Sequence, residues 1–158
     1  MANPYLYVRL RFDGLLLFIP QEDLQAIEII ADINITPTDI GAVGWFGLEH
    51  GHGQNSPVFC LSEDMSLLLD IPKKREFLAL IKAPSVPVGL VCDEVENINI
   101  QREHIYFQEV PDIMRTHLSP ISHLLIFNEV IGGMCTGGAL VNYLAHLSSE
   151  VQESFREL

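Results

Sequence analysis

The sequence predicts a mainly β fold of short strands, followed by one C-terminal helix. Segments of five to eight apolar or alternating residues recur along the chain, separated by turns of glycine, proline, asparagine and aspartate. Short strands at such regular spacing are typical of a small barrel or sandwich. The C-terminal residues instead repeat apolar side chains every three or four positions, which is the period of an α-helix.

The clearest local signal is a hairpin at the amino end. Tyr5 to Phe12 alternates apolar and polar residues, Asp13-Gly14 is a strong turn pair, and Leu15 to Ile19 is apolar. A second hairpin is predicted over Glu76 to Ala83 and Val88 to Val95. The other predicted segments are a helical turn at Gln21 to Ala26 before the apolar run Ile27 to Ala31, a loop at Asn34 to Asp39, strands at Gly41 to Leu48, Pro57 to Leu61, Ile98 to Tyr106 and His123 to Phe127, and a short turn at Ser62 to Asp70.

The helix follows Gly137-Gly138. Its apolar stripe comprises Leu140, Leu144, Leu147, Val151, Phe155 and Leu158, and glutamates line the other face. We predict a helix that packs on the strands, with a partner-binding helix as the alternative. Since no repeat or linker divides the chain, we expect one domain over 1–158.

Composition and charge narrow the possible partners. Apolar residues make up 48% of the 158 residues, and the formal net charge is -12. Such a charge repels nucleic-acid phosphates and anionic lipids. No signal peptide is evident and no apolar run is long enough to span a bilayer, so we expect a cytoplasmic protein that neither inserts into membranes nor binds nucleic acid. The basic run Lys73-Lys74-Arg75 is interpreted as a solvated turn, with a docking patch for an acidic partner as the alternative.

The sequence carries no recognisable catalytic or cofactor motif. It lacks a phosphate-binding loop, a complete dinucleotide fingerprint, a nucleophile elbow and paired zinc-ligand motifs. Asp93 and Glu94 are adjacent in a predicted strand, so they point to opposite faces and cannot share a proton. Cys60, Cys92 and Cys135 are widely spaced among apolar or small neighbours, which favours reduced, buried thiols. We therefore expect a protein that is not an enzyme and has no cofactor.

A weaker alternative is a small metal-dependent enzyme built around His50 and His52. Two residues apart on an extended segment, these imidazoles share a face, and imidazole is a good ligand for zinc or copper. A site would need further ligands that the sequence does not identify, so exposed loop histidines are the preferred interpretation.

Gly47 to Leu61 is the most specific stretch of the chain. Five glycines lie between Gly41 and Gly53, which indicates unusual backbone angles or close approach of another chain. The pattern Gly47-Leu48-x-x-x-His52-Gly53-x-x-x-Pro57-Val58-x-x-Leu61 resembles the Gly-Val-x-Asn-Leu-Arg-Gly-x-x-x-Pro-Val-x-Asp-Leu signature of the bacterial chemotaxis coupling protein CheW. Two further matches are Ala26-Ile27-Glu28-Ile29 and Val88-Gly89-Leu90-Val91-Cys92-Asp93-Glu94-Val95.

The resemblance implies a fold and a role. Members of that family have two SH3-like, five-stranded β-barrel subdomains around a shared core, with short helices and a C-terminal helix. They are adaptors that bridge the cytoplasmic tips of chemoreceptors and the regulatory domain of a histidine kinase. For this chain the resemblance therefore implies a non-catalytic scaffold in a chemotaxis or type IV pilus signalling system, recruited to membrane receptor arrays.

The resemblance also implies which residues contact partners. These are Ala26, Glu28, Gly47, Leu48, His52, Gly53 and Gly89. His52 stands where the family has an arginine, and Cys60 stands where it has an aspartate. Histidine lacks the fixed five-donor fork and permanent charge of arginine. The alternative is therefore a similar module that has lost kinase coupling and acts as an inhibitor or assembly module.

Overall fold

The computed structural model describes residues 5–38, 42–47, 55–100, 106–110, 119–127 and 129–156, which form two β-sheets and a long helix. The helix, α1, runs over Gly137–Arg156. The strands, in chain order, are β1 (Tyr5–Phe12), β2 (Leu15–Pro20), β3 (Leu24–Ile29), β4 (Ile35–Pro37), β5 (Gly44–Gly47), β6 (Asn55–Leu61), β7 (Leu67–Leu68), β8 (Phe77–Ile81), β9 (Val88–Cys92), β10 (Glu94–Ile100), β11 (Tyr106–Glu109), β12 (His123–Phe127) and β13 (Val130–Met134).

The six-stranded sheet has the order β10-β1-β2-β13-β12-β11 and draws on both ends of the chain. The predicted first hairpin is confirmed, because β1 and β2 pair antiparallel with Phe12 opposite Leu15. Asp13 takes a positive φ of 56° in the connecting turn, a conformation that aspartate tolerates better than most residues. β13 joins β2 in parallel, so the C-terminal strands close onto the N-terminal hairpin.

The seven-stranded sheet is formed by the middle of the chain. Its order is β3-β8-β9-β6-β5-β4, with the short β7 paired to β6. The second predicted hairpin is confirmed, since β8 and β9 pair antiparallel from Phe77 opposite Cys92 to Ile81 opposite Val88. β6 lies parallel to β9 on its other side. This arrangement puts β9 in the centre of the sheet and β3 at its edge.

Three apolar clusters show how the two sheets combine. One lies on the inner face of the seven-stranded sheet and includes Val58, Leu78 and Val91. A second, smaller cluster lies on the corresponding face of the six-stranded sheet around Phe18 and Leu125. The third is shared by both sheets and by α1; its buried members include Leu10, Leu17, Leu61, Ile81, Leu90, Leu140 and Leu144. The predicted mainly β fold, with two subdomains around a shared core and a C-terminal helix, is confirmed.

Helix α1 begins where two side chains satisfy its free backbone donors. The Thr136 hydroxyl accepts from the Ala139 amide at 3.1 Å, and the Asp23 carboxylate accepts from the Gly137 amide at 2.8 Å.

The first part of the apolar stripe of α1 packs on the strands, as predicted. Leu140 and Leu144 are fully buried in the shared core, and Leu147 packs against it. The side chains of the later stripe residues lie outside the described part of the structure; these residues are Val151, Phe155 and Leu158.

The structure differs from the predicted elements in several strands. Within the described residues the two sheets contain six and seven strands, whereas the resemblance implies five for each barrel. β4 falls in the predicted loop, and its Pro37 is compatible with an edge strand. The helical turn at Gln21 to Ala26 is confirmed only over Gln21–Asp23, after which β3 begins. Parts of the predicted strands Gly41 to Leu48 and Ile98 to Tyr106 lie outside the described residues.

Two C-terminal strands, β11 and β13, were not predicted either. β13 contains Gly132 and Gly133, which have low strand propensity and hide the strand in the sequence. A Cβ atom at Gly132 would overlap the Phe18 ring, so the glycine allows close packing there. All four residues of β11 are exposed, so neither face of this strand is marked by buried apolar residues. Its sequence accordingly lacks the alternation that predicts a strand.

Candidate partner-binding surface

Two of the predicted contact residues, Ala26 and Gly89, lie in one row across the seven-stranded sheet. Ala26 is opposite Leu80, Leu80 is opposite Gly89, and Gly89 is opposite Val58. Residues that pair directly across strands share a face. Since Leu80 and Val58 belong to the inner core, Ala26 and Gly89 also face inward.

Gly89 is a close-packing position. A Cβ atom there would lie 2.8 Å from Leu78 Cδ1 and 3.5 Å from the Pro57 carbonyl oxygen. Any larger side chain would have to displace Leu78 within the inner core. A substitution at Gly89 could thus alter partner binding through the packing of the sheet, and a contact role for Gly89 stays a prediction.

Glu28 lies opposite Leu78 on the same face of β3 as Ala26, and it is half-buried. Ile27 and Ile29 alternate with these residues and point the other way. They are 39% and 50% exposed, and their spacing of two residues places both on one side of the strand. β3 therefore presents an apolar face to solvent beside the residues that the resemblance selected. The alternation of Ile27 and Ile29 with Glu28 is a sequence signal for a strand with two different faces. The run Ile27 to Ala31 as a whole nevertheless resembles a core segment.

The turn that precedes β3 lies against the six-stranded sheet. Gln21, in the turn before β3, donates from Nε2 to Oδ1 of Asn97 on β10 at 3.2 Å. In the described part of the chain, β3 and β10 are each an edge strand of their sheet. The turn before β3 is thus held against β10 at this edge.

Gly47 lies on a second exposed surface, at the end of β5. It is opposite Asn55, and a Cβ atom there would meet only the Asn55 Oδ1 atom, at 3.1 Å. Trp45, two residues earlier, points to the same side and is 41% exposed. Residues 48–54 lie outside the described part of the chain, and they include the remaining predicted contacts Leu48, His52 and Gly53.

The interpretation of the basic run Lys73-Lys74-Arg75 as a solvated turn is wrong for Arg75. Lys73 and Lys74 are exposed, but Arg75 is only 2% exposed. The carboxylates that neutralise Arg75 come from Asp13 and Asp93, in the first turn and after β9. A local run of like charges does not reveal a buried partner elsewhere in the chain, so the burial of Arg75 has no signal in the sequence.

We call Arg75, Asp13, Asp93, Lys74 and Cys60 the Arg75 cluster. Arg75 Nη2 lies 3.0 Å from Asp13 Oδ2, and Arg75 Nε lies 2.9 Å from Asp93 Oδ1, although the latter ion pair is not aligned as a hydrogen bond. Arg75 Nη1 approaches Cys60 Sγ at 3.6 Å. Asp13 also pairs with Lys74, whose hydrogen bond is the main reason that the pKa of Asp13 lies below its usual value.

The prediction that the Asp93 and Glu94 side chains point to opposite faces is confirmed. Asp93 is buried against Arg75, whereas the exposed Glu94 pairs with Arg11 at 2.8 Å on the other side of the strand. The hydrogen bond from Arg11 lowers the pKa of Glu94. The two carboxylates have different partners and act separately.

The cysteines are buried free thiols, as predicted. Burial raises the pKa of Cys60 to about 11 and that of Cys135 to about 12, and it raises the pKa of Cys92 further. A thiol needs to ionise to act as a nucleophile or metal ligand. These residues are therefore suited to packing.

Two further observations concern metal binding and membrane-spanning helices. Within the described ranges, no group of three or more histidine, cysteine or acidic side chains is placed to hold a metal ion. His50 and His52 lie outside these ranges. Among the residues that the structure describes, no helix is both long and apolar enough to cross a bilayer.

Comparison with known proteins relates the whole arrangement to a solved structure. The fold is similar to the crystal structure of the scaffolding protein TtCheW from Thermoanaerobacter tengcongensis, with a TM-score of 0.64 and 17% sequence identity. The match covers 84% of this chain and 88% of that one. No protein-family model and no curated protein matches the sequence. The class that the comparison defines is thus a CheW-like fold: two mixed sheets with a C-terminal helix.

Proposed function

We propose that this protein is a non-catalytic adaptor that connects chemoreceptor cytoplasmic tips to the regulatory domain of a histidine kinase in a bacterial chemosensory system. The observation that carries the proposal is the likeness to a scaffolding protein over 84% of the chain. The short motifs around Gly47, Ala26 and Gly89 support it separately, since they are patterns of residues and do not depend on the likeness in fold. We further propose that 1–158 is a single domain that works in the cytoplasm at receptor arrays.

The chemistry of the described residues agrees with a binding role. The buried thiols have raised pKa values, and the buried charge of Arg75 is neutralised by Asp13 and Asp93 inside the Arg75 cluster. In contrast, isoleucine and tryptophan side chains are left at the surface on β3 and β5. A contiguous apolar patch on a folded domain commonly marks a contact site for another protein, and Ile27 and Ile29 are neighbours on one side of β3.

The proposed contact surface divides into direct contacts and supporting residues. Direct contacts are assigned to the exposed β3 face and to the segment that starts at Gly47 and includes Leu48, His52 and Gly53. The supporting residues are assigned to the packing that holds β3 and β9 in place, because they face the inner core; they are Ala26, Glu28 and Gly89.

The proposal is tested by measuring binding to the cognate kinase regulatory domain and to a cognate receptor tip fragment, separately and together. Trp45 is the single tryptophan of the chain, so its emission reports directly on the β5 surface. An adaptor is expected to bind both fragments and to form a three-component complex. Binding to neither fragment would reject both the proposal and its alternative, and binding to the kinase fragment alone would reject the bridging role. Binding to the receptor fragment alone would favour the alternative, a module that has lost kinase coupling.

His52→Ala separates a contact role from a structural one. We expect weaker binding by about tenfold, which is about 1.4 kcal/mol, with a change in stability of no more than about 0.5 kcal/mol. His50→Ala in the same segment is the matched control. Equal binding by His52→Ala and the unmodified protein would remove His52 from the contact surface.

A further inference from the structure

Arg75 contacts chain segments from both sheets at the point where the chain passes between them. Its Nη2 atom donates to the Leu61 carbonyl at the end of β6, at 2.8 Å. Its Nη1 atom donates to the Val91 carbonyl on β9, at 3.2 Å. The same guanidinium pairs with Asp13, in the turn of the six-stranded sheet. One buried side chain thus joins the ends of two strands to a turn of the other sheet.

Asp93 completes the connection from the other side. It lies between β9 of one sheet and β10 of the other, and its Oδ2 accepts from the Asp13 amide at 2.7 Å. The Asp93 amide in turn donates to the Arg11 carbonyl at 2.7 Å. Both bonds tie the residue that links the two sheets to the end of β1 and its turn, and the Phe12 ring covers the guanidinium with its centroid 5.6 Å from Arg75 Cζ.

The segment that carries Arg75 is also bonded to β3. Glu76, the next residue, donates from its amide to the Cys92 carbonyl at 3.1 Å and accepts from the Ile30 amide at 2.9 Å. Ile30 directly follows the exposed Ile29. Displacement of Arg75 would therefore reach the end of β3 through the hydrogen bond between Ile30 and Glu76, and the end of β9 through that between Glu76 and Cys92.

We propose that Arg75 controls local opening of this end of the contact between the two sheets, so that the sheets separate here before either sheet unfolds. The guanidinium can do this because its planar fork reaches a carboxylate and two carbonyls at once. An ammonium group is a compact point charge and cannot hold these separated acceptors together. This proposal is independent of the proposed function, since it concerns only how the sheets are held.

Hydrogen exchange of individual amides tests the proposal with Arg75→Lys, which keeps the buried positive charge. The amides of Asp13, Glu76 and Asp93 are expected to exchange about tenfold faster, because they report local opening at this end. The amides of β12 and β13, far along the six-stranded sheet, are expected to keep their rates. Arg9→Lys alters an ion pair with the exposed Glu96 and is the matched control.

Two results would overturn the proposal. Equal acceleration of all amides would show that Arg75 supports only the global stability of the fold, and unchanged rates at the three reporter amides would show that it does not hold the junction. Asp13→Asn gives an independent test from the other sheet. It is expected to accelerate the Glu76 and Asp93 amides selectively, by a smaller factor, because Arg75 keeps its pair with Asp93.

Discussion

The Arg75 cluster and the exposed faces of β3 and β5 depart in opposite ways from an apolar interior and a polar surface. In the cluster, charge is buried, but almost every donor of the guanidinium meets an acceptor of the same chain. On β3 and β5, apolar side chains face solvent, although they lie beside well-packed rows of the sheet. The first departure is satisfied within the molecule. The second has no such partner atoms among the residues described, and under the proposed function a partner protein would cover it.

The largest effect is expected when the buried charge loses its partner. Asp93→Ala leaves the Arg75 guanidinium without its buried carboxylate, and we expect the free energy of unfolding to fall by about 3 kcal/mol or more. Urea unfolding followed by circular dichroism measures this change. Glu94→Ala is the matched control, since it removes a neighbouring but exposed ion pair and should leave the midpoint almost unchanged. Similar losses of stability in both variants would show that the buried ion pair of Asp93 contributes no more than the exposed ion pair of Glu94.

The inner face of the seven-stranded sheet is tested by Gly89→Val. The added side chain must displace Leu78, so we expect a loss of about 2 kcal/mol from overpacking. Gly138→Ala is the control, because a Cβ atom at Gly138 meets nothing within 4 Å and alanine favours a helix. Thermal unfolding of the two variants should move in opposite directions. A Gly89→Val protein of unchanged stability but weakened binding would instead make Gly89 a direct contact.

The exposed face of β3 is tested by replacing Ile27 and Ile29 together with threonine. Threonine keeps the branched shape that strands favour but removes apolar surface, so stability should change little. Binding to the receptor or kinase fragment should weaken by about tenfold, which corresponds to about 1.4 kcal/mol. Ile131→Thr, at an exposed isoleucine of the six-stranded sheet, is the control for a general loss of apolar surface. If the control weakens binding equally, the β3 face is not a specific contact site.

Local signals account for the parts of the fold that could be predicted from the sequence. Asp13-Gly14 identified the first hairpin, and the three-to-four spacing after Gly137 identified the helix. β13 was missed because its Gly132 is required by the Phe18 ring, which packs against it from another strand. A contact between distant segments leaves no pattern in either segment alone.

The same limit applies to the candidate site. The resemblance pointed to Ala26 and Gly89, but the side on which they lie depends on strand register, which a single sequence does not give. Arg75 was placed in a solvated turn because its neighbours are lysines, while Asp13 lies far away in the chain. The register and the ion pairs follow only from the paired strands.

The smallest effect is expected from acid, and it tests whether the charge of the half-buried Asp13 stabilises the fold. The hydrogen bond from Lys74, helped by the nearby Arg75, lowers the pKa of Asp13 in the folded protein. Because the folded pKa lies below the unfolded pKa of about 3.9, Asp13 stabilises the fold above that pH. This contribution is lost as the pH falls through the lower, folded pKa.

Asp13→Asn removes the titration but keeps a residue type that tolerates the positive φ of the turn. The unmodified protein should therefore be the more stable of the two at pH 7, and the two stabilities should converge as the pH falls from about 4 toward 2. Urea midpoints measured across this range give the comparison directly. Lys74→Met should narrow the difference, since it removes the main cause of the pKa shift. A difference between the unmodified protein and the Asp13→Asn variant that stays constant with pH would mean that the turn geometry, and not the carboxylate charge, accounts for the stabilisation.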